Sequence, residues 1–183
     1  MTDARGIAVF WQQSNALSEP LRYLFCSRYC PGVIPYVFLK SRIKCSGLTF
    51  RYLWDDAQQL FVSGAQKQVS YASQVWMVLA GVVDAQAGGE LLDRVIALNP
   101  EKGMVSPYMN HHFTEALLMC GRKEKALEYI KYYWGGMIRL GADTFWELYN
   151  PQNPAESPYG SSIVNSYCHA WSCTPAYLLR KYF

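Results

Sequence analysis

The chain has 183 residues, 51% of them apolar and only 17% charged, which suits one domain with a buried core and excludes a disordered chain. The net charge of +3 hides an asymmetry: residues 1–51 carry seven Lys/Arg and two acids, and residues 52–183 carry ten and twelve. The basic residues of the first part are scattered among Cys, Pro and aromatic residues without period, so nucleic acid is not the expected partner. No apolar run reaches the length of a membrane span and no basic start leads into an apolar leader, so neither a membrane nor a secretory route is expected and a cytoplasmic location is the default.

Residues 1–46 show no sustained period, and Pro31 and Pro35 weaken the one extended stretch, "CPGVIPYVFLK". They are expected to form an irregular segment of separate character, followed by a helical domain over 47–183. "FRYLWDDAQQLFVSG" reads as a helix end, an acidic turn and a short extended piece, with Asp55 and Asp56 as turn and cap residues. A helix is predicted over about 68–87, where Ala72, Val75, Trp76, Leu79 and Val83 form an apolar stripe and "AGG" at 87–89 is the stop. "ELLDRVIAL" gives a shorter helix closed by Asn99 and Pro100. "SPYMNHHFTEALLMCG" gives one that starts at Pro107 and stops at Gly121. "RKEKALEYIKYYWGGM" gives another, with Ala126, Ile130, Tyr133 and Met137 on one side and a last turn weakened by Gly135 and Gly136. A final helix is predicted over about 163–182, interrupted or kinked at Pro175. On it Ile163, Val164, Tyr167, Ala170, Trp171 and Leu178 share one face, and Asn165, His169 and Ser172 line the other. Short connections between helices make neighbours antiparallel hairpins, so the fold class is all-α.

The six cysteines fall at 26, 30, 45, 120, 168 and 173. None makes a C-x₂-C pair, so no zinc site is expected. Cys120 and Cys168 lie in apolar helical patterns and read as free buried thiols in a reducing compartment. His111 and His112 are adjacent, so at most one can face a site. No spacing demands a metal, and no nucleophile elbow, phosphate loop or dinucleotide fingerprint occurs, so neither a metal nor a cofactor is expected.

The chemistry is concentrated late in the chain. "GADTFWELYNP", residues 141–151, sets the carboxylate of Glu147 directly after Phe145 and Trp146. Desolvation by the indole is expected to raise its pKa into a range suited to proton transfer. The stripe of Asn165, His169 and Ser172 holds no Lys or Glu, unlike a merely solvated face, and its groups suit hydrogen bonds to ligand hydroxyls.

Three separated segments, "KQVSYASQVWMVLAGV", "YYWGGMIRLGADTFWE" and "YCHAWSCTPAYLLRKYF", resemble in order the C-terminal half of the catalytic domain of bacterial α-L-rhamnosidase-type glycoside hydrolases. The likeness covers about residues 52–183. It implies an (α/α)₆ toroid of six helical hairpins, of which this chain would form an open part. Gly141 to Glu147 match the family's G-A-T-T-x-W-E segment, with Asp143 in place of the usual threonine. Glu147 would then be the general base of an inverting hydrolysis. His169, in "CHAW", would contact the sugar, with Trp146, Asn165 and Trp171 completing the substrate pocket. Such a hydrolysis needs a second carboxyl group as acid, and the motif that supplies it in the family has no match here. Asp55, Asp56, Asp143 and Glu156 are the nearest substitutes. The expectation is a partial, inactive glycosidase that binds carbohydrate and self-associates through its open edge. The alternative is a non-catalytic helical-hairpin module binding a glycan or a protein.

Overall fold

The computed structural model describes residues 47, 49–101 and 103–183. The irregular segment expected over 1–46, with Cys26, Cys30 and Cys45, lies outside them. The chain divides into two compact units, one ending at Gln68 and the other covering Val69–Phe183.

In the first unit, residues 49–53 are helical and run into a hairpin of β1 (Trp54–Asp55) and β2 (Leu60–Phe61). The strands are antiparallel, with Trp54 opposite Phe61 and Asp55 opposite Leu60. The acidic turn does what its composition dictates. The Asp55 carboxylate accepts from the backbone amides of Ala57 and Gln58, each at 3.0 Å, and Asp56 accepts from the Trp54 indole at 3.0 Å. The amide bonds favour the ionised form of Asp55 and lower its pKa. Phe50, Trp54 and Phe61 meet ring to ring on one side of the hairpin, with centroids 5.0–5.4 Å apart.

The second unit is helical: α1 (Tyr71–Leu79), α2 (Ala85–Leu98), α3 (Pro107–Met119), α4 (Lys123–Arg139) and α5 (Thr174–Tyr182). Three of the starts are capped by side chains that satisfy an otherwise unpaired amide. Ser70 accepts from Ser73 N at 3.2 Å, Asp84 from Ala87 N at 2.8 Å and Ser106 from Met109 N at 3.3 Å. α3 is the central helix and packs against α1, α2, α4 and α5. On α4, Ala126, Ile130, Tyr133 and Met137 are buried as the stripe requires. The fold is all-α, apart from one short hairpin among the described residues.

Four expectations are corrected. The helix predicted over 68–87 is two helices. α1 stops at Leu79, Gly81 turns the chain at a φ of 69°, and Asp84 caps a new start. The glycines read as a stop, Gly88 and Gly89, therefore lie inside α2, which ends at Asn99 in the left-handed conformation. Gly88 is there for contact: a Cβ would stand 2.9 Å from Cys120 Sγ and 3.2 Å from Val78 Cγ2. Likewise Gly135 and Gly136 do not fray α4, which runs on to Arg139. The final helix is shorter than predicted. Residues 162–164 and 170–172 are separate 3₁₀ turns, and α5 starts only at Thr174. Pro175 does not kink it but opens it, since a first-turn proline loses no helical hydrogen bond. Cys120 is buried as expected, but Cys168, set between the two 3₁₀ turns, is exposed.

Candidate active site

The site rests on the aromatic core of α4. Tyr133, Trp134, Met137 and Ile130 bury together with Tyr149, and Phe145 and Trp146 pack against them. Polar tips on these rings tie down the loops. Tyr133 Oη donates to Val105 O at 2.7 Å, and Trp134 Nε1 donates to Ser172 O at 2.9 Å.

Two of those loops, 144–147 and 166–172, are laced to each other. Glu147 N donates to Ser166 O at 2.8 Å and His169 N donates to Phe145 O at 2.9 Å. The Thr144 hydroxyl donates to Tyr167 O, and the Ser172 hydroxyl donates to Trp146 O. Trp171 Nε1 donates to Glu147 O at 3.0 Å. This ladder brings Glu147 and His169 together although 22 residues separate them. The juxtaposition comes from two extended loops, not from the start of a long last helix.

The Glu147 carboxylate is partly exposed. Its Oε1 accepts from the Tyr159 hydroxyl at 2.7 Å and its Oε2 from the backbone amide of Ser166 at 3.0 Å. The expected direction of its pKa is reversed. The Ser166 amide and then the Tyr159 hydroxyl hold it below the ordinary glutamate value. Desolvation opposes them weakly, and His169 acts with them. Hydrogen bonds to the charged form outweigh the partial cover of the indole. The group is therefore an ionised acceptor at neutral pH. The effect on Tyr159 is reciprocal, since the adjacent carboxylate raises its pKa.

His169 and Trp171 stand together, with ring centroids 4.4 Å apart. His169 Nδ1 accepts from Trp171 N at 3.4 Å, which leaves the proton of a neutral imidazole on Nε2, as a donor. Trp171 is exposed and lies 6.2 Å from Tyr108. Trp146 meets Tyr149 and Tyr167 edge to face at 6.0 and 5.3 Å. The polar helical stripe does not exist as such, because the segment is not helical. Asn165 is buried and its Oδ1 accepts from the Ser157 hydroxyl at 2.8 Å. Ser172 is buried with its hydroxyl bonded to backbone. Of the three, His169 is the one whose side chain stands beside Glu147. Sequence reasoning missed Tyr159 and Ser166, the two donors to the carboxylate. They lie 12 and 19 residues on in a loop without period, so no local pattern signals them.

The rings of His111 and His112 lie 5.0 Å apart and 84° from coplanar, and both reach one cluster with Glu115, against the expectation that at most one could face a site. His112 is buried between Trp76 and Tyr108, at centroid distances of 4.7 and 4.6 Å. His111, His112 and Glu115 each offer a ligand atom within 4.8 Å of the others. The Glu115 carboxylate is already engaged: Oε1 receives Lys181 Nζ at 2.7 Å and Tyr182 Oη at 3.1 Å, and Oε2 lies 3.6 Å from His111 Nε2. An ammonium in contact with the carboxylate opposes a divalent cation there, so the group is an ion-pair cluster joining α3 to α5. No helix among the described residues is long and apolar enough to cross a membrane.

No protein-family model matches the chain, and no curated protein matches it. Solved structures do. A rhamnosidase from Klebsiella oxytoca, with rhamnose bound, is 42% identical with a TM-score of 0.77 over 89% of this chain and 32% of its own. The GH78 family rhamnosidase of Bacillus sp. GL1 is 27% identical with a TM-score of 0.63, over 79% of this chain and 16% of its own. The chain thus spans about a third of the length of the first of these relatives and less of the second. By sequence and by fold it belongs with the α-L-rhamnosidase-type glycoside hydrolases, as a partial domain of that family.

Proposed function

We propose that this chain carries the general-base side of an inverting α-L-rhamnosidase site. Glu147 would accept a proton from a water as that water's oxygen bonds to the anomeric carbon. A carboxylic acid outside this chain would give its proton to the departing glycosidic oxygen. Inversion needs the two carboxyl groups about 6.5–9.5 Å apart, with room for the water between them. Of the nearest substitutes within the chain, Asp143 is exposed, Glu156 accepts from Asn150, and Asp55 and Asp56 are engaged in the hairpin turn.

The observation that carries the reading is the state of Glu147. It is ionised and gripped on both oxygens by donors, and it stands beside an imidazole donor and an exposed indole. Each oxygen keeps a second lone pair for a water. The His169 imidazole suits a ring hydroxyl and the Trp171 face suits the apolar side of a pyranose. The rhamnose bound in the Klebsiella relative points to a terminal rhamnoside as substrate.

The test has two parts. In the Klebsiella rhamnosidase, glutamine at the position that superposes on Glu147 should lower kcat about 10²–10⁴-fold, with little change in rhamnose affinity. A kcat within tenfold of wild type would refute the base. The isolated chain should not release aryl alcohol from an aryl α-L-rhamnoside. Efficient release that is lost on Glu147→Gln would show that the acid lies within it.

A further inference from the structure

We propose that Tyr159 is the positioning residue of the Glu147 carboxylate, and that the buried amide of Asn165 sets Tyr159 in place through Ser157. The inference rests on Glu147 being the base for its functional meaning, but not for its test.

The geometry is a relay. Asn165 is 8% exposed, and its Oδ1 accepts from Ser157 Oγ at 2.8 Å. Ser157 Oγ accepts in turn from Tyr159 N at 3.2 Å. Tyr159 Oη then donates to Glu147 Oε1 at 2.7 Å. Gly160, at a φ of 82°, turns the chain directly after the tyrosine, a backbone state that a side chain at that position would strain. Tyr159 itself is 57% exposed. Packing alone does not hold a ring so exposed, so its hydroxyl bond and the anchored backbone define where it points.

The consequence is a carboxylate clamped from two sides. The Ser166 amide fixes Oε2 and belongs to the loop ladder of backbone and side-chain bonds. Tyr159 fixes Oε1 and sits on a loop tied to Asn165 through Ser157 and to Asn150 through Glu156. With either donor alone the carboxyl group can rotate about its last torsion. With both, its plane is set, and the remaining lone pairs point in fixed directions. A base that must hold a water in line with an anomeric carbon depends on that aim. Donation from a phenol also favours the ionised form of the acid. Asn165, expected from sequence to touch the sugar, acts three hydrogen bonds away from the base.

The experiment follows the Glu147 side-chain carboxyl carbon by ¹³C NMR across an acid titration of the full chain. Wild type is compared with Tyr159→Phe and Ser157→Ala. Phenylalanine keeps the ring and removes the donor. The Glu147 midpoint should move up in Tyr159→Phe. It should move the same way, by less, in Ser157→Ala, with the amide spectrum of α3 and α4 unchanged. An unmoved midpoint in Tyr159→Phe would overturn the proposal. So would a Ser157→Ala variant that matches wild type while Tyr159→Phe does not, since Tyr159 would then need no anchor. If the glutamine substitution proves harmless to hydrolysis, the base assignment fails while this titration stands. If the titration ignores Tyr159, the clamp fails while the base assignment stands.

Discussion

At the scale of single residues, the electrostatic character of Glu147 depends on what its two oxygens accept, not on its neighbours in sequence. Trp146 precedes it, which argues for a raised pKa. The amide of Ser166 and the hydroxyl of Tyr159 reverse that direction. The identity of the candidate base was legible in "GADTFWE", and so was its pairing with His169 in "CHAW". The two donors were not, because they reach Glu147 through a loop-to-loop ladder that leaves no periodic trace. His169 lends itself to a test of the sugar side. Its Nδ1 accepts from the backbone of Trp171, so Nε2 is the donor available to a hydroxyl. His169→Ala should weaken binding of L-rhamnose to the isolated chain about tenfold, the worth of one well-made hydrogen bond, as read by calorimetry. Unchanged affinity would remove His169 from the pocket.

At the scale of elements, the glycines divide into two kinds that sequence does not separate. Helix periodicity placed α3 and α4 well, and Asn99-Pro100 gave the true end of α2. The paired glycines were read as breaks, because an isolated helix is weakened by them. Packing reverses that judgement at one glycine of the pair on α4. A Cβ on Gly136 would stand 2.9 Å from ring atoms of Tyr149, which is buried in the α4 core and has nowhere to go. A Cβ on Gly135 would meet only the tip of Arg139, at 3.3 Å. The two substitutions should therefore have opposite signs. Gly136→Ala should destabilise by about 1–3 kcal/mol through overpacking. Gly135→Ala should stabilise by about 0.5–1 kcal/mol through helix propensity. Urea unfolding at one pH measures both, and a Gly136→Ala variant as stable as wild type would show that Tyr149 does not need the gap. The last helix was misread for a related reason. Its apolar spacing is real, but the backbone bonds of Glu147 with Ser166 and of His169 with Phe145, together with the first-turn Pro175, make loop and 3₁₀ turns of its first half.

At the scale of the whole molecule, α3 couples packing to pH. His112 sits inside the helical unit, and neither of its ring nitrogens finds a hydrogen-bond partner among the described residues. Burial, aided by the neighbouring His111, pushes its pKa from the ordinary 6.5 down to about 4. Three residues on, Glu115 is held down from 4.5 to about 2, first by the His111 imidazole and also by the Lys181 ammonium, against the effect of burial. Both groups make acid unfavourable to the fold, but in different windows. Between about 6.5 and 4 the unfolded chain protonates His112 and the folded chain does not, so stability falls as pH falls. The Glu115 contribution is complete above 4.5 and is lost as the pH falls through about 2. Denaturation measured from pH 8 to pH 3 should show a decline that starts near pH 6.5 and reaches on the order of 3 kcal/mol from His112. His112→Phe keeps a ring between Trp76 and Tyr108 and removes two buried nitrogens. It should leave stability at pH 7 equal or higher and abolish the decline between pH 6.5 and 4.5. Below that, the loss due to Glu115 should remain, because Lys181 and Tyr182 still engage its carboxylate. A His112→Phe variant that keeps the early decline would place its origin in another group, and His112 would then titrate in the folded chain as an exposed histidine does.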